Sequence, residues 1–230
     1  MSGSSEAARG LARVPLFKHL ETPALTRLEQ QSWTRRYPEG QILTSEGDPG
    51  DSLLVLERGQ VKISRFSPSG HEVVLAIVEA PEAIGELALI DGAPRSATIT
   101  ALAPVDVRIL PRQAFIELIN TEPQTMMMVL RAVTSMVRNT NERLSDLLSL
   151  DVPGRCAKWL LVRCASRGDR TPRGIVIPFE LSQRELGNEL GTTRVSVNKA
   201  LKMFESLGAI QLGRDEIVVV KADLLLEFTY

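Results

Sequence analysis

The chain has 230 residues, of which 43% are hydrophobic and 24% charged, and its formal net charge is −1. This is the profile of an ordinary soluble globular protein, long enough for two domains, without the composition of a collagen, a disordered chain or a disulfide scaffold, and the charge argues against a strongly basic nucleic-acid binder. No metal or iron–sulfur site is expected, because Cys156, Cys164, His19 and His71 lack metal-ligand spacing.

In chain order, the first dozen residues are rich in Gly, Ser and Ala and read as mobile, without the uninterrupted apolar core of a signal peptide. No 18 apolar residues run together anywhere, so a cytoplasmic protein without a membrane partner is predicted. PLFKHLETPALTRLEQ, 15–30, has the apolar spacing of short helices. From about Trp33 to Leu110, short β-forming runs such as SLLVLERG, QVKISRFS, HEVVLAIVE and VDVRILP alternate with glycine corners, which predicts a small antiparallel barrel or roll.

After Pro111 the period becomes helical. No Gly interrupts 121–150, and Met126, Leu130, Val133, Val137, Thr140, Leu144 and Leu147 follow at alternating spacings of four and three. That seam predicts a homodimer through paired helices, while Met127, Val129, Met136 and Leu148 form a second stripe for packing on the chain's own roll. LDVPG at 150–154 then predicts a break, with Asp151 capping a new helix and Pro153 in its first turn. On that helix Cys156 and Cys164 lie over two turns apart, too far to bridge, and both read as buried thiols.

LSQRELGNELGTTRVSVNKALKMFESLGAI, 181–210, opens on the S-x-x-E capping spacing of Ser182 and Glu185 and turns near Gly191. A second helix follows, Arg194 to Leu207, capped by Thr192 or Thr193, with Val197, Leu201 and Phe204 inward. AIQLGRDEIVVV then reads as a hairpin around Gly213-Arg214-Asp215. Helix, glycine turn, helix and β-wing together predict a helix-turn-helix that presents its second helix to double-stranded DNA. The candidate contacts are Thr193, Arg194, Val195, Asn198, Lys199, Lys202 and Arg214. Among them Arg194 suits bidentate recognition of guanine, Asn198 suits a base or phosphate, and Lys199, Lys202 and Arg214 suit phosphates.

GELALIDGAPRSATITA, 85–101, is nearly all small and apolar, yet it carries Glu86 and Arg95. An arginine with paired donors, surrounded by Gly85, Ala88, Ser96 and Ala97, suits a phosphodiester that backbone amides can approach. A ligand-free internal salt bridge is the alternative. With this stretch and the helix-turn-helix in hand, the chain resembles the CRP–FNR family of bacterial transcription regulators from about Val14 to Val220, most closely its cyclic AMP receptor branch. The resemblance implies an effector site of Gly85, Glu86, Leu87, Arg95, Ser96, Thr140 and Asn141. In it Glu86 accepts from the ribose hydroxyl and balances Arg95 when no nucleotide is bound, Arg95 and Ser96 meet the cyclic phosphate, and the Thr140-Asn141 pair reads the purine edge.

Departures accompany the likeness. Ala80-Pro81-Glu82-Ala83 replaces the usual Gly-Asp lead-in, and Val195 stands where the cyclic AMP branch has Glu, so the preferred half-site differs or is relaxed there. Neither the cysteine cluster of the oxygen-sensing branch nor the haem ligands of the carbon monoxide sensors has a counterpart. The expected architecture is α+β, with a cyclic-nucleotide-binding β-roll at 14–120, a dimerisation helix at 121–150 and a winged helix-turn-helix at 151–230. The expected function is a non-enzymatic transcriptional regulator that takes cyclic AMP as effector and RNA polymerase as a partner. Cyclic GMP, cyclic di-GMP or activity without ligand are the alternatives within the fold, and a scaffold protein without DNA affinity is the alternative outside it.

Overall fold

The computed structural model describes residues 10–68, 70, 72–179 and 181–230. The opening stretch, expected to be mobile, therefore lies outside the described residues as far as residue 9. Contacts divide the chain into two compact units, one up to Val137 and one from Arg138 on.

In the first unit a 3₁₀ turn at Pro15–Phe17 and helix α1, Thr22–Gln30, precede the strands. These are β1 (Trp33–Tyr37), β2 (Ile42–Thr44), β3 (Ser52–Arg58), β4 (Gln60–Phe66), β5 (Glu72–Glu79), β6 (Glu82–Ile84), β7 (Thr98–Ala101) and β8 (Val105–Pro111). They form two antiparallel sheets ordered β1-β8-β3-β6 and β2-β7-β4-β5. The run SLLVLER in β3 is apolar on both faces because both are covered. Leu54 and Leu56 point into the roll with Val61, Ile99 and Val107. Leu53 and Val55 meet the helices through Phe17, Leu25, Phe115 and Val129. Sequence reasoning missed β1, which carries exposed Trp33, Arg35 and Arg36, and the three-residue β6.

Helix α2, Glu86–Asp91, interrupts the strands, α3 spans Arg112–Thr121, and α4 runs Pro123–Ser149 with Pro123 opening it as expected. The stripe assigned to intrachain packing is corrected. Only Val129 of that set is buried, with Thr125 one turn before it and Met128 and Val133 against the same core. Met127, Met136 and Leu148 are exposed instead. The seam residues Met126, Leu130, Val137, Leu144 and Leu147 are exposed in the single chain, forming an apolar row beside these three.

The second unit contains α5 (Val152–Arg167), β9 (Asp169–Thr171), β10 (Gly174–Pro178), α6 (Gln183–Glu189), α7 (Arg194–Ser206), β11 (Ile210–Leu212), β12 (Glu216–Val219) and α8 (Ala222–Leu226). Its sheet order is β11-β12-β10-β9, and its core gathers Leu160, Ile177, Leu186, Val197, Leu201, Phe204 and Ile217. Asp151 caps α5 by accepting from the Gly154 amide at 2.8 Å. Beside this turn Lys158 on α5 pairs with Glu142 at 2.9 Å and Asp146 at 2.8 Å on α4, while Arg155 donates to the carbonyls of Leu150 and Leu190. Both cysteines are free, but only Cys156 is a buried thiol; Cys164, expected to match it, is half-buried because it packs against the margin of the core and not within it.

Candidate functional site

The stretch after β6 places its charged groups through backbone geometry. Gly85 takes φ +92° and lets the chain turn into α2, a conformation costly for any residue with a Cβ. A methyl group there would come within 2.2 Å of Arg95 Nη1, so the absence of a side chain at 85 is what leaves room for the guanidinium. The main chain of Arg95 is pinned to the turn before β3, its amide donating to Asp48 O at 2.8 Å and its carbonyl accepting from Gly47 at 2.9 Å.

The Arg95 side chain is 5% exposed. Nη1 donates to Gly85 O at 3.1 Å, and Nη2 donates to Ser52 O at 2.6 Å and Ser52 Oγ at 3.2 Å. Its Nε is buried and has no partner. Among the described residues no carboxylate forms an ion pair with it, which speaks against the alternative of a ligand-free internal salt bridge, and Glu86 acts on Arg95 through its charge at a distance. Burial pulls the guanidinium below its ordinary range, opposed by the charges of Asp51, then Asp48, then Glu86. Burial likewise raises the Glu86 carboxyl, with the amides of Glu86 and Gly85 pulling the other way and Arg95 acting more weakly. Each of the two charges is held by backbone groups.

A buried cation with an orphaned N–H and no carboxylate partner fits an anionic oxygen ligand, since an unsatisfied buried donor is costly. The structure brings Gly85, Glu86, Leu87, Arg95 and Ser96 together, with Ser96 exposed and Leu87 half-buried. Thr140 and Asn141 are exposed on α4, in the unit from Arg138 on. Ser52 was not legible beforehand, because it lies 43 positions from Arg95 and nothing near it in sequence marks it.

In the second unit the cap signals appear as hydrogen bonds. Ser182 N donates to Glu185 Oε2 at 2.7 Å and Glu185 N donates to Ser182 Oγ at 3.2 Å, closing the capping box. Thr193 is the cap of α7, accepting from the Ser196 amide at 3.2 Å. Arg194, Val195, Lys199, Lys202 and Arg214 are exposed as expected, Arg214 in the β11–β12 turn. Asn198 differs, because its Nδ2 donates to Gln183 Oε1 at 2.9 Å and so stitches α7 to the first turn of α6. Gln183 and Arg184, absent from the sequence reading, line an open groove of about 540 Å³ together with Ser182, Arg194 and Asn198. Among the described residues no group of His, Cys, Asp and Glu could hold a metal ion, and no helix is long and apolar enough to cross a membrane.

Residues 34–122 match the cyclic nucleotide-binding domain family and residues 154–228 the Crp-like helix-turn-helix domain family. The chain is 33% identical to the CRP-like cAMP-activated global transcriptional regulator of Mycobacterium tuberculosis, over 94% of this chain and 96% of that protein. Its fold is similar to a CooA mutant from Carboxydothermus hydrogenoformans, with TM-score 0.77, 20% identity, and coverage of 87% of this chain and 89% of that one. It is also similar to the c-di-GMP responsive global regulator CLP of Xanthomonas campestris, with TM-score 0.75, 21% identity, and coverage of 86% and 99%.

Proposed function

Since the chain belongs to the CRP–FNR family of transcription regulators and carries that family's cyclic nucleotide-binding and helix-turn-helix domains, we propose that it is a homodimer whose operator affinity is set by cyclic AMP. The observation that carries the effector reading is the buried Arg95 guanidinium, braced by Gly85 and Ser52 with Nε unpartnered. Bound cyclic AMP supplies an anionic phosphodiester, a ribose hydroxyl and a purine edge. Arg95 and Ser96 hold the anion, Glu86 accepts from the hydroxyl, and Thr140 with Asn141 reads the base. Thr140 interrupts an otherwise apolar row, which supports a polar task for it.

The exposed row Met126, Leu130, Val137, Leu144 and Leu147 supports pairing of α4 with a second copy. Two copies present two α7 helices to half-sites roughly 34 Å apart, and RNA polymerase is the partner at the promoter. The working division is 14–120, 121–150 and 151–230, and the protein acts in the cytoplasm. Cyclic AMP shifts operator binding only through its differential affinity for the DNA-competent arrangement. No residue is assigned a catalytic role.

Titration calorimetry tests the effector. Cyclic AMP should bind the wild type and not Arg95→Leu; equal affinity in both refutes the phosphate assignment. Tighter binding of cyclic GMP or cyclic di-GMP in the same series would replace cyclic AMP as the effector. In gel shifts Arg194→Ala should relax base preference, whereas Lys202→Ala weakens binding uniformly and lowers its salt slope.

A further inference from the structure

Helix α7 has two faces. Val197, Ala200, Leu201 and Phe204 are buried. Val195, Asn198, Lys199 and Lys202, at spacings i, i+3, i+4 and i+7, form the outward stripe. Of these four only Val195 is apolar, and it is 63% exposed in the first turn, directly after Arg194. A single exposed valine is unremarkable on an arbitrary surface. Here its position gives it meaning. It contributes nothing to the core cluster of its unit, and as a β-branched residue it is a poorer helix former than the straight-chain side chains that would solvate the same position. Folding therefore supplies no reason for it.

The opening turn of the second helix is the part that meets base edges when such a module enters the major groove. The groups offered there are hydrogen-bond donors and acceptors with one exception, the C5-methyl of thymine. An isopropyl group in that place can accept or donate nothing, so burying it against a polar edge would strand a donor or acceptor of the base. Its neighbours do not compete for the same spot. Asn198, one turn on, is tied to Gln183, while Arg194 and Lys199 carry the charge for guanine or phosphate.

We infer that Val195 is a specificity-determining residue that recognises the methyl group of one thymine in each half-site. This rests on the operator-binding reading above and adds to it the identity of one base.

The test begins with selection of duplexes from a random library by the full-length wild-type chain, with and without cyclic AMP. Each thymine of the enriched half-site is then replaced by uracil, which removes only the methyl. At one position wild-type affinity should fall about fourfold, the fold-change expected for one apolar carbon withdrawn from contact. Val195→Ser, a change at an exposed position that leaves the core untouched, should bind the thymine and uracil duplexes equally. Enrichment of a half-site in which no methyl matters, or a Val195→Ser protein that still separates thymine from uracil fourfold, overturns the inference and leaves DNA binding standing. No enrichment at any salt concentration overturns both.

Discussion

Replacing Gly85 by Ala separates the two things that this glycine provides. The first is a backbone at φ +92°, whose strain in an L-residue is about 1–2 kcal/mol. The second is space, since the new methyl would lie 2.2 Å from Arg95 Nη1 and the guanidinium must leave its bonds to Gly85 O and Ser52 O. A hydrogen bond to a charged group contributes about 1.5–3 kcal/mol, so losing both adds about 3–6 kcal/mol and the total destabilisation expected is roughly 4–8 kcal/mol. Gly92→Ala is the matched control, because Gly92 also has a positive φ, +70°, yet a methyl added there would meet nothing within 4 Å. It should lose only the strain, about 1–2 kcal/mol. Urea unfolding of both variants measures the difference, and calorimetry with cyclic AMP measures the site. Gly85→Ala should bind at least about thirtyfold more weakly, the equivalent of about 2 kcal/mol for a displaced buried charge partner, whereas Gly92→Ala keeps more of its affinity. Equal stabilities for the two variants, together with unchanged nucleotide affinity in Gly85→Ala, would refute the claim that Gly85 exists to seat Arg95.

Glu86→Gln should stabilise the ligand-free chain at neutral pH while weakening nucleotide binding. Burial raises the Glu86 carboxyl, so its favourable contribution is fully present below its ordinary value of 4.5 and is lost as pH rises through the raised one. The gain in the variant's thermal midpoint should accordingly shrink as the buffer is acidified, and a gain that is constant with pH would contradict the buried-carboxylate account. Cys156, with its thiol pushed up to about 12 by burial, should resist iodoacetamide under conditions that label the half-buried Cys164, as read by peptide mass mapping. Lys158→Met removes the two ion pairs to Glu142 and Asp146 and should cost about 1 kcal/mol at low salt, vanishing at high salt. Ser182→Ala opens the capping box and should cost about 1 kcal/mol in chemical denaturation.

Signals that act within three or four residues were legible in the amino-acid order. The Ser182–Glu185 box, the Asp151 and Thr193 caps, Pro123 at the start of α4 and the hairpin around Arg214 each depend on hydrogen bonds or dihedral limits confined to one turn. The anomaly of two charges in an apolar stretch was equally visible, because buried charge is costly wherever the fold puts it. Packing direction was not. Periodicity marked two apolar stripes on α4 but could not tell that Val129 and Val133 face the roll while Met136 and Leu148 face water, since a stripe states only that something covers it. Nor could any local pattern show that Arg95 is braced by Ser52 in place of Glu86, or that Asn198 is held by Gln183. Those pairs are 43 and 15 positions apart, brought into reach by strand order and helix crossing. Short-range stereochemistry thus wrote the elements and the chemical types of the site into the chain, while the partners of each functional group were chosen by tertiary topology, which alone determines which distant backbone atoms surround a buried donor.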